Sequence, residues 1–207
     1  MAIQIRISPD ELMAIAARQQ EILDKLDSVM SVLISAERLL EDSWEGSSAV
    51  MLIRSVDSAQ RGIRQIGETA AASKERLEAI IHAFETIDSG EQASFIQAVF
   101  TGLAPRDLIL PGLQFGAPGR VRIMPDGVKD AAKRCESATE LLEECATAYD
   151  GCLNDLGNYW EGRAYRKYVA DYEEISIALR EVRDGLNEVA DKLMYFATRY
   201  EEIDNMF

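Results

Sequence analysis

The chain has 207 residues and a formal net charge of −14; 47% of its residues are hydrophobic and 28% charged, enough apolar material for a core in one or two domains. So acidic a surface disfavours nucleic-acid backbones and anionic lipid as partners, because binding either needs Lys and Arg to displace counterions. No run approaches the ~18 consecutive apolar residues of a spanning helix, so stable membrane insertion is not expected.

Met1 to Ile7 lacks the basic and apolar regions of a signal peptide. Any export is therefore expected to start from the cytoplasm and to proceed without a cleaved leader. Within that stretch Ile3-Gln4-Ile5-Arg6-Ile7 alternates and reads as a short extended lead-in. Ser8-Pro9-Asp10-Glu11 then supplies an N-cap, a proline at the first helical position and a capping-box Glu. A stripe of Leu12, Ile15, Gln19, Ile22, Leu26, Val29, Leu33, Ala36 and Leu40 follows in unbroken steps of three and four. Asp42 to Gly46 has the length of a turn between two antiparallel helices. Gly46 can take φ > 0 there, and the Trp44 indole can cover the end of the hairpin. A second stripe runs from Ala49 and Leu52 through Ile63, Ser73 and Leu77 to Phe84 and Ile87. A 3.5-residue period held over five heptads predicts coiled-coil-like helices of roughly 33–42 residues, about 50–60 Å long.

Ser89 to Arg120 breaks the pattern. Phe95, Ile96, Val99, Phe100 and Leu103 would line one face of a three-turn helix, and Pro105 to Gly119, rich in Pro and Gly, reads as irregular chain. The whole design then repeats. Trp160-Glu161-Gly162 lies 116 positions after Trp44-Glu45-Gly46, and the same offset carries Pro9-Asp10 to Pro125-Asp126 and Phe84, Ile87 and Asp88 to Tyr200, Ile203 and Asp204 without a gap. Met124 stands where Ser8 stood, so this helix start is expected to be the weaker one. The repeated stripes run from Val128 to Leu156 and from Tyr165 to Ile203.

The expected organisation is residues 1–88 as one hairpin, 89–120 as a linker and 121–207 as a second hairpin. One hairpin leaves an apolar face open, whereas two pack into an all-α four-helix bundle. Tyr165, Tyr168 and Tyr172 of the second copy against Ala49, Ala59 and Ala70 of the first suggest that large side chains meet small ones. If the hairpins lie antiparallel, the linker must travel nearly the bundle length; a three-turn helix (~18 Å) and about 17 extended residues (~55 Å) reach that far. A parallel arrangement would need only a short loop, so length alone leaves both open.

Cys135, Cys145 and Cys152 are odd in number and fall on the apolar stripe, which predicts buried thiols and not a disulfide framework. His82, the only histidine, lies off the stripe. The acidic runs Glu143-Glu144, Glu173-Glu174 and Glu201-Glu202 read as solvated faces. There is no Gly-rich phosphate loop, no Cys/His cluster and no inward Glu-x-x-His pair, and a filled seam offers no cleft for two carboxylates. No catalytic residue, metal ligand or cofactor is expected, and the chain is not expected to be an enzyme.

With both Trp-x-Gly turns, the Ile/Val-Arg-Ile-x-Pro lead-ins, the helix lengths and Tyr200-Glu201-Glu202-Ile203-Asp204 in place, the chain resembles the WXG, or ESAT-like, superfamily of helical hairpins. The resemblance covers nearly everything except the linker. It implies antiparallel pairing and export by a type VII secretion system of Gram-positive bacteria or mycobacteria, either as substrate or as co-secreted chaperone. Tyr200 and Asp204 match the family's Tyr-x-x-x-Asp/Glu export motif and, by the resemblance, would sit near Trp44 and Gly46 for reading by the secretion ATPase. Trp160 and Gly162 mark the second turn. The first copy departs from the motif, with Phe84 in place of Tyr ahead of Asp88, which puts an export role for that end in doubt. Two other readings stay open: a cytosolic adaptor for the helical domain of a larger secreted toxin, and a structural or membrane-perturbing helical protein, against which the net charge argues. The pseudo-dimer could close within one chain or by swapping between two.

Overall fold

A computed structural model describes residues 6–88 and 121–206 of the chain. The linker helix expected around Phe95 to Leu103 lies outside the described residues. The elements run β1 (Arg6–Ile7), α1 (Pro9–Ser43), β2 (Trp44–Glu45), α2 (Ser47–Asp88), β3 (Arg122–Ile123), α3 (Pro125–Tyr159), β4 (Trp160–Glu161), α4 (Arg163–Tyr172) and α5 (Glu174–Asp204). The fold is all-α, two helix-turn-helix hairpins packed as a four-helix bundle. Within the hairpins α1 lies on α2 and α3 on α5; across them α1 lies on α3 and α2 on α5.

The stripes form the core. All nine positions from Leu12 to Leu40 are buried, as are all nine of their counterparts from Val128 to Leu156. Cys135, Cys145 and Cys152 are among them, and burial pushes the first two thiols up to about 12 and about 11.

The antiparallel arrangement is held by two short backbone clasps. β1 pairs antiparallel with β4, Ile7 opposite Trp160, and β2 pairs antiparallel with β3, Trp44 opposite Ile123. Each hairpin's lead-in is thus the strand that closes the other hairpin's turn. The two registers are related by the same 116-residue offset as the sequence repeat. The clasps set the turns at opposite ends of the bundle.

The clasps also correct the expected helix starts. Neither Ser8 nor Met124 makes a side-chain cap. The Ser8 N–H donates to the Tyr159 carbonyl (3.0 Å) and the Met124 N–H to the Ser43 carbonyl (2.7 Å). A capping box would need the Ser8 N–H for Glu11, but the opposite hairpin already holds it, so the two starts are alike. Two further differences concern the last stripe. It is interrupted for one residue at Glu173, where the Ser176 hydroxyl donates to the Glu173 carbonyl (3.3 Å) in competition with the helix ladder. It also outruns the core, since Ile203 is 50% exposed in the final turn.

Each turn depends on one glycine. Gly46 has φ 142° and Gly162 φ 138° with ψ −174°, a region that only glycine enters freely. Gly46→Ala and Gly162→Ala should each lower stability by about 1–3 kcal/mol in urea titrations. Gly67→Ala, placed in the middle of α2 where an added Cβ meets nothing within 4 Å, should instead be neutral or raise stability by up to about 1 kcal/mol.

Candidate functional site

The Trp44 end of the bundle gathers residues from five elements, α1, β2, β3, α3 and α5. Helix α1 delivers Trp44 as its C-cap, with the Trp44 N–H on the Leu40 carbonyl, and the pairing with β3 fixes the backbone. The indole is 2% exposed. Helix α5 covers it with two rings spaced i, i+4 on one face: Phe196 at 5.3 Å between centroids and Tyr200 at 6.5 Å, edge-on at 75°. Tyr195 packs edge-on against Phe196 and leaves most of its own ring in solvent. An ion pair from Lys129 of α3 to Glu201 (2.5 Å) ties down the last turns of α5, and Arg122 pairs with Glu45 (2.9 Å) across the clasp. Beneath them Gly127 lies so close to Ser43 that a Cβ would collide with its hydroxyl.

The structure therefore brings Tyr200 to the Trp44 turn, one residue from each hairpin. Asp204, exposed in the last turn of α5, and Gly46, in the turn itself, belong to the same end. Arg199 on the same helix is held above its ordinary range by its hydrogen bond to Glu202 (2.6 Å). Six large apolar side chains are exposed here: Val50, Val121, Met124, Tyr195, Ile203 and Met206, the last at 71%.

The opposite end is built differently. Trp160 is fully buried, with Tyr165 at 5.9 Å and Tyr168 at 5.6 Å, both from its own hairpin. Phe84 is half-buried against the core, and of Asp88 only the backbone is described. Among the described residues Met13 is the exposed large apolar side chain of this end. His82 lies exposed on α2, with its imidazole 3.3 Å from Glu85.

Sequence reasoning passed over the partners that hold the Trp44 end together: Phe196, the Lys129–Glu201 pair and strand β3. The signal for β3 was present, because the lead-in alternation around Arg6 and Ile7 recurs at Arg122 and Ile123. Among the described residues no group of three or more His, Cys, Asp or Glu side chains is placed to hold a metal ion, and no helix is long and apolar enough to cross a membrane. The Trp44 end thus combines exposed apolar side chains with a buried indole covered by two rings.

No curated protein and no solved structure matches the chain. Residues 120–205 match the family model WXG100, proteins of 100 residues with WXG, and the first hairpin, outside the matched residues, repeats the same layout. The second half of the chain is a WXG100-like helical-hairpin domain.

Proposed function

We propose that the protein is a tandem WXG protein that travels through a type VII secretion system, as substrate or co-secreted chaperone, and that it acts by docking and not by catalysis. The observation that carries this reading is the contact of Tyr200 with Trp44, which joins the C-terminal helix of one hairpin to the turn of the other in a single surface. Tyr200 and Asp204 are one helical turn apart on α5, so both can meet one partner, taken here to be the secretion ATPase. The exposed Ile203 and Met206 extend that surface with apolar area. Phe84 at the other end lacks the hydroxyl, so the two ends are not equivalent and one address is presented per chain.

Wild type, Asp204→Ala, Tyr200→Phe and Tyr200→Ala should be compared in culture supernatant and cell lysate of the native host. Asp204 is exposed, so its loss should leave the melting temperature unchanged while the protein stays in the cells. Tyr200→Phe keeps the ring on Trp44 and separates the hydroxyl from the packing. Equal secretion of all four proteins removes the export role from these residues. Retention of wild type in the cell, bound to a large helical partner, would mark an adaptor instead.

A further inference from the structure

The bundle core holds a polar cluster that the repeat does not repeat. Tyr149 of α3 donates to the Ser73 hydroxyl of α2 (2.8 Å), and Tyr168 of α4 donates to the Ser73 carbonyl (3.0 Å). The hydroxyls of Ser73 and Tyr168 lie 2.6 Å apart, and Gln19 of α1 donates its amide to Tyr168 (3.2 Å). All four side chains are buried, and the amide oxygen of Gln19 has no hydrogen-bond partner. A cluster that leaves a buried acceptor unsatisfied is a poor device for stability alone. A polar side chain at a seam position is, however, a known means of choosing which helices pair.

The pseudo-two-fold offset shows what is being chosen. Moved by 116 positions, Gln19 becomes Cys135, Ser73 becomes Val189, Tyr149 becomes Leu33 and Tyr168 becomes Leu52. All four of these counterparts are buried and none brings a hydroxyl or amide. We propose that Gln19 and Ser73 of the first hairpin, with Tyr149 and Tyr168 of the second, make each hairpin select the other and reject a second copy of itself.

Two first hairpins paired in this geometry would place Gln19 and Ser73 against Leu33 and Leu52. The amide and hydroxyl would lose their partners on the other hairpin at both sites, and leucine would fill less of the space that tyrosine fills. Two second hairpins would press Tyr149 and Tyr168 onto Val189 and Cys135, where the rings overpack and the hydroxyls find no acceptor side chain. The ion pair of Arg76 with Asp171 (2.7 Å) strengthens the choice for the first hairpin only. In its self-pair Arg76 would face Ser55, whereas in a self-pair of the second hairpin Asp171 would face Lys192. Rejection by the second hairpin therefore rests on the tyrosines.

The test uses the whole chain with a specific protease site placed within residues 105–119, folded, cut, incubated, and read by native mass spectrometry as heteropairs and homopairs. Wild type should remain heteropaired by at least about tenfold over either homopair. Gln19→Leu with Ser73→Val relieves the first hairpin and removes the cluster's bonds from the heteropair, so the first-hairpin homopair should rise, with the displaced second hairpins appearing in equal number, unpaired or as their own homopair. Adding Tyr149→Leu and Tyr168→Leu should bring both homopairs up toward a statistical mixture. Homopairs at statistical abundance in wild type overturn the proposal. So does a Gln19→Leu, Ser73→Val chain that stays as strictly heteropaired as wild type, and this milder variant decides the matter even if the fourfold one does not fold.

Discussion

Trp160→Ala should lower the stability of the bundle by about 3–5 kcal/mol, the cost of truncating a large side chain in a packed interior. The indole is fully buried and packs on Tyr165 and Tyr168. It lies opposite Ile7 in the β1–β4 clasp, so its loss opens a void that two hairpins share. The ring of Tyr168 leans on it on one side and carries the hydrogen bonds to Ser73 on the other. The backbone bonds of the turn survive the substitution, which makes the loss one of packing. Trp44→Ala should fall at the lower end of the same range. Its covering rings, Phe196 and Tyr200, are themselves only half-buried and can settle into part of the space. Urea titrations followed by helical circular dichroism measure both. Against a usual total of about 5–15 kcal/mol, the first is a large fraction; a Trp160→Ala loss within about 0.5 kcal/mol would place the indole outside the core.

Alkali should unfold the protein well before its arginines titrate. Burial raises the thiols of Cys135, Cys145 and Cys152 above their ordinary value of 9.0, the first two to about 12 and about 11. It likewise raises the Tyr149 hydroxyl well above 10.0 and the Tyr168 hydroxyl to about 12. Below pH 9 these groups are protonated in both states, and their contribution to stability is complete. Above it the unfolded chain releases thiol protons first and hydroxyl protons next, while the fold still holds them. Stability therefore falls as pH rises from about 9 to about 12, by about 1.4 kcal/mol per pH unit for each group ionised only in the unfolded state. Urea midpoints between pH 7.5 and 11 measure the fall. Cys135→Ala with Cys145→Ala should flatten the part that begins near pH 9 and leave the tyrosine part in place. A wild-type curve that stays level to pH 11 would mean that these groups are not held neutral.

The helices were legible because burial of a long rod against another leaves a periodic record, and every stripe position of α1 and α3 is buried. The orientation of the hairpins was not legible from the linker, whose length allows either arrangement. It is decided by Ile7 on Trp160 and Ile123 on Trp44, two-residue pairings between distant segments that leave no period in the sequence. The Ser8 capping box was misread because a local signature takes the N–H of residue 8 to be free, and Tyr159 holds it. The break at Glu173 carries neither Gly nor Pro to announce it. Ile203 keeps the rhythm of the stripe but stands half-exposed in the last turn of α5. At the Trp44 end, spacing gave the turn and the C-terminal Tyr and Asp, but their proximity came from family resemblance. The geometry adds Phe196 and Lys129, which hold α5 over the indole.

The clasps also set an order of folding. Each hairpin is made of contacts closer in the chain and can form more quickly, whereas about three quarters of the chain separates Ile7 from Trp160. Strand β1 finds its mate only after the hairpins have docked, and β3 meets β2 under the same condition. The last backbone bonds to form are then those that seal the two tryptophans in, and they are also the first to be lost when the halves are drawn apart.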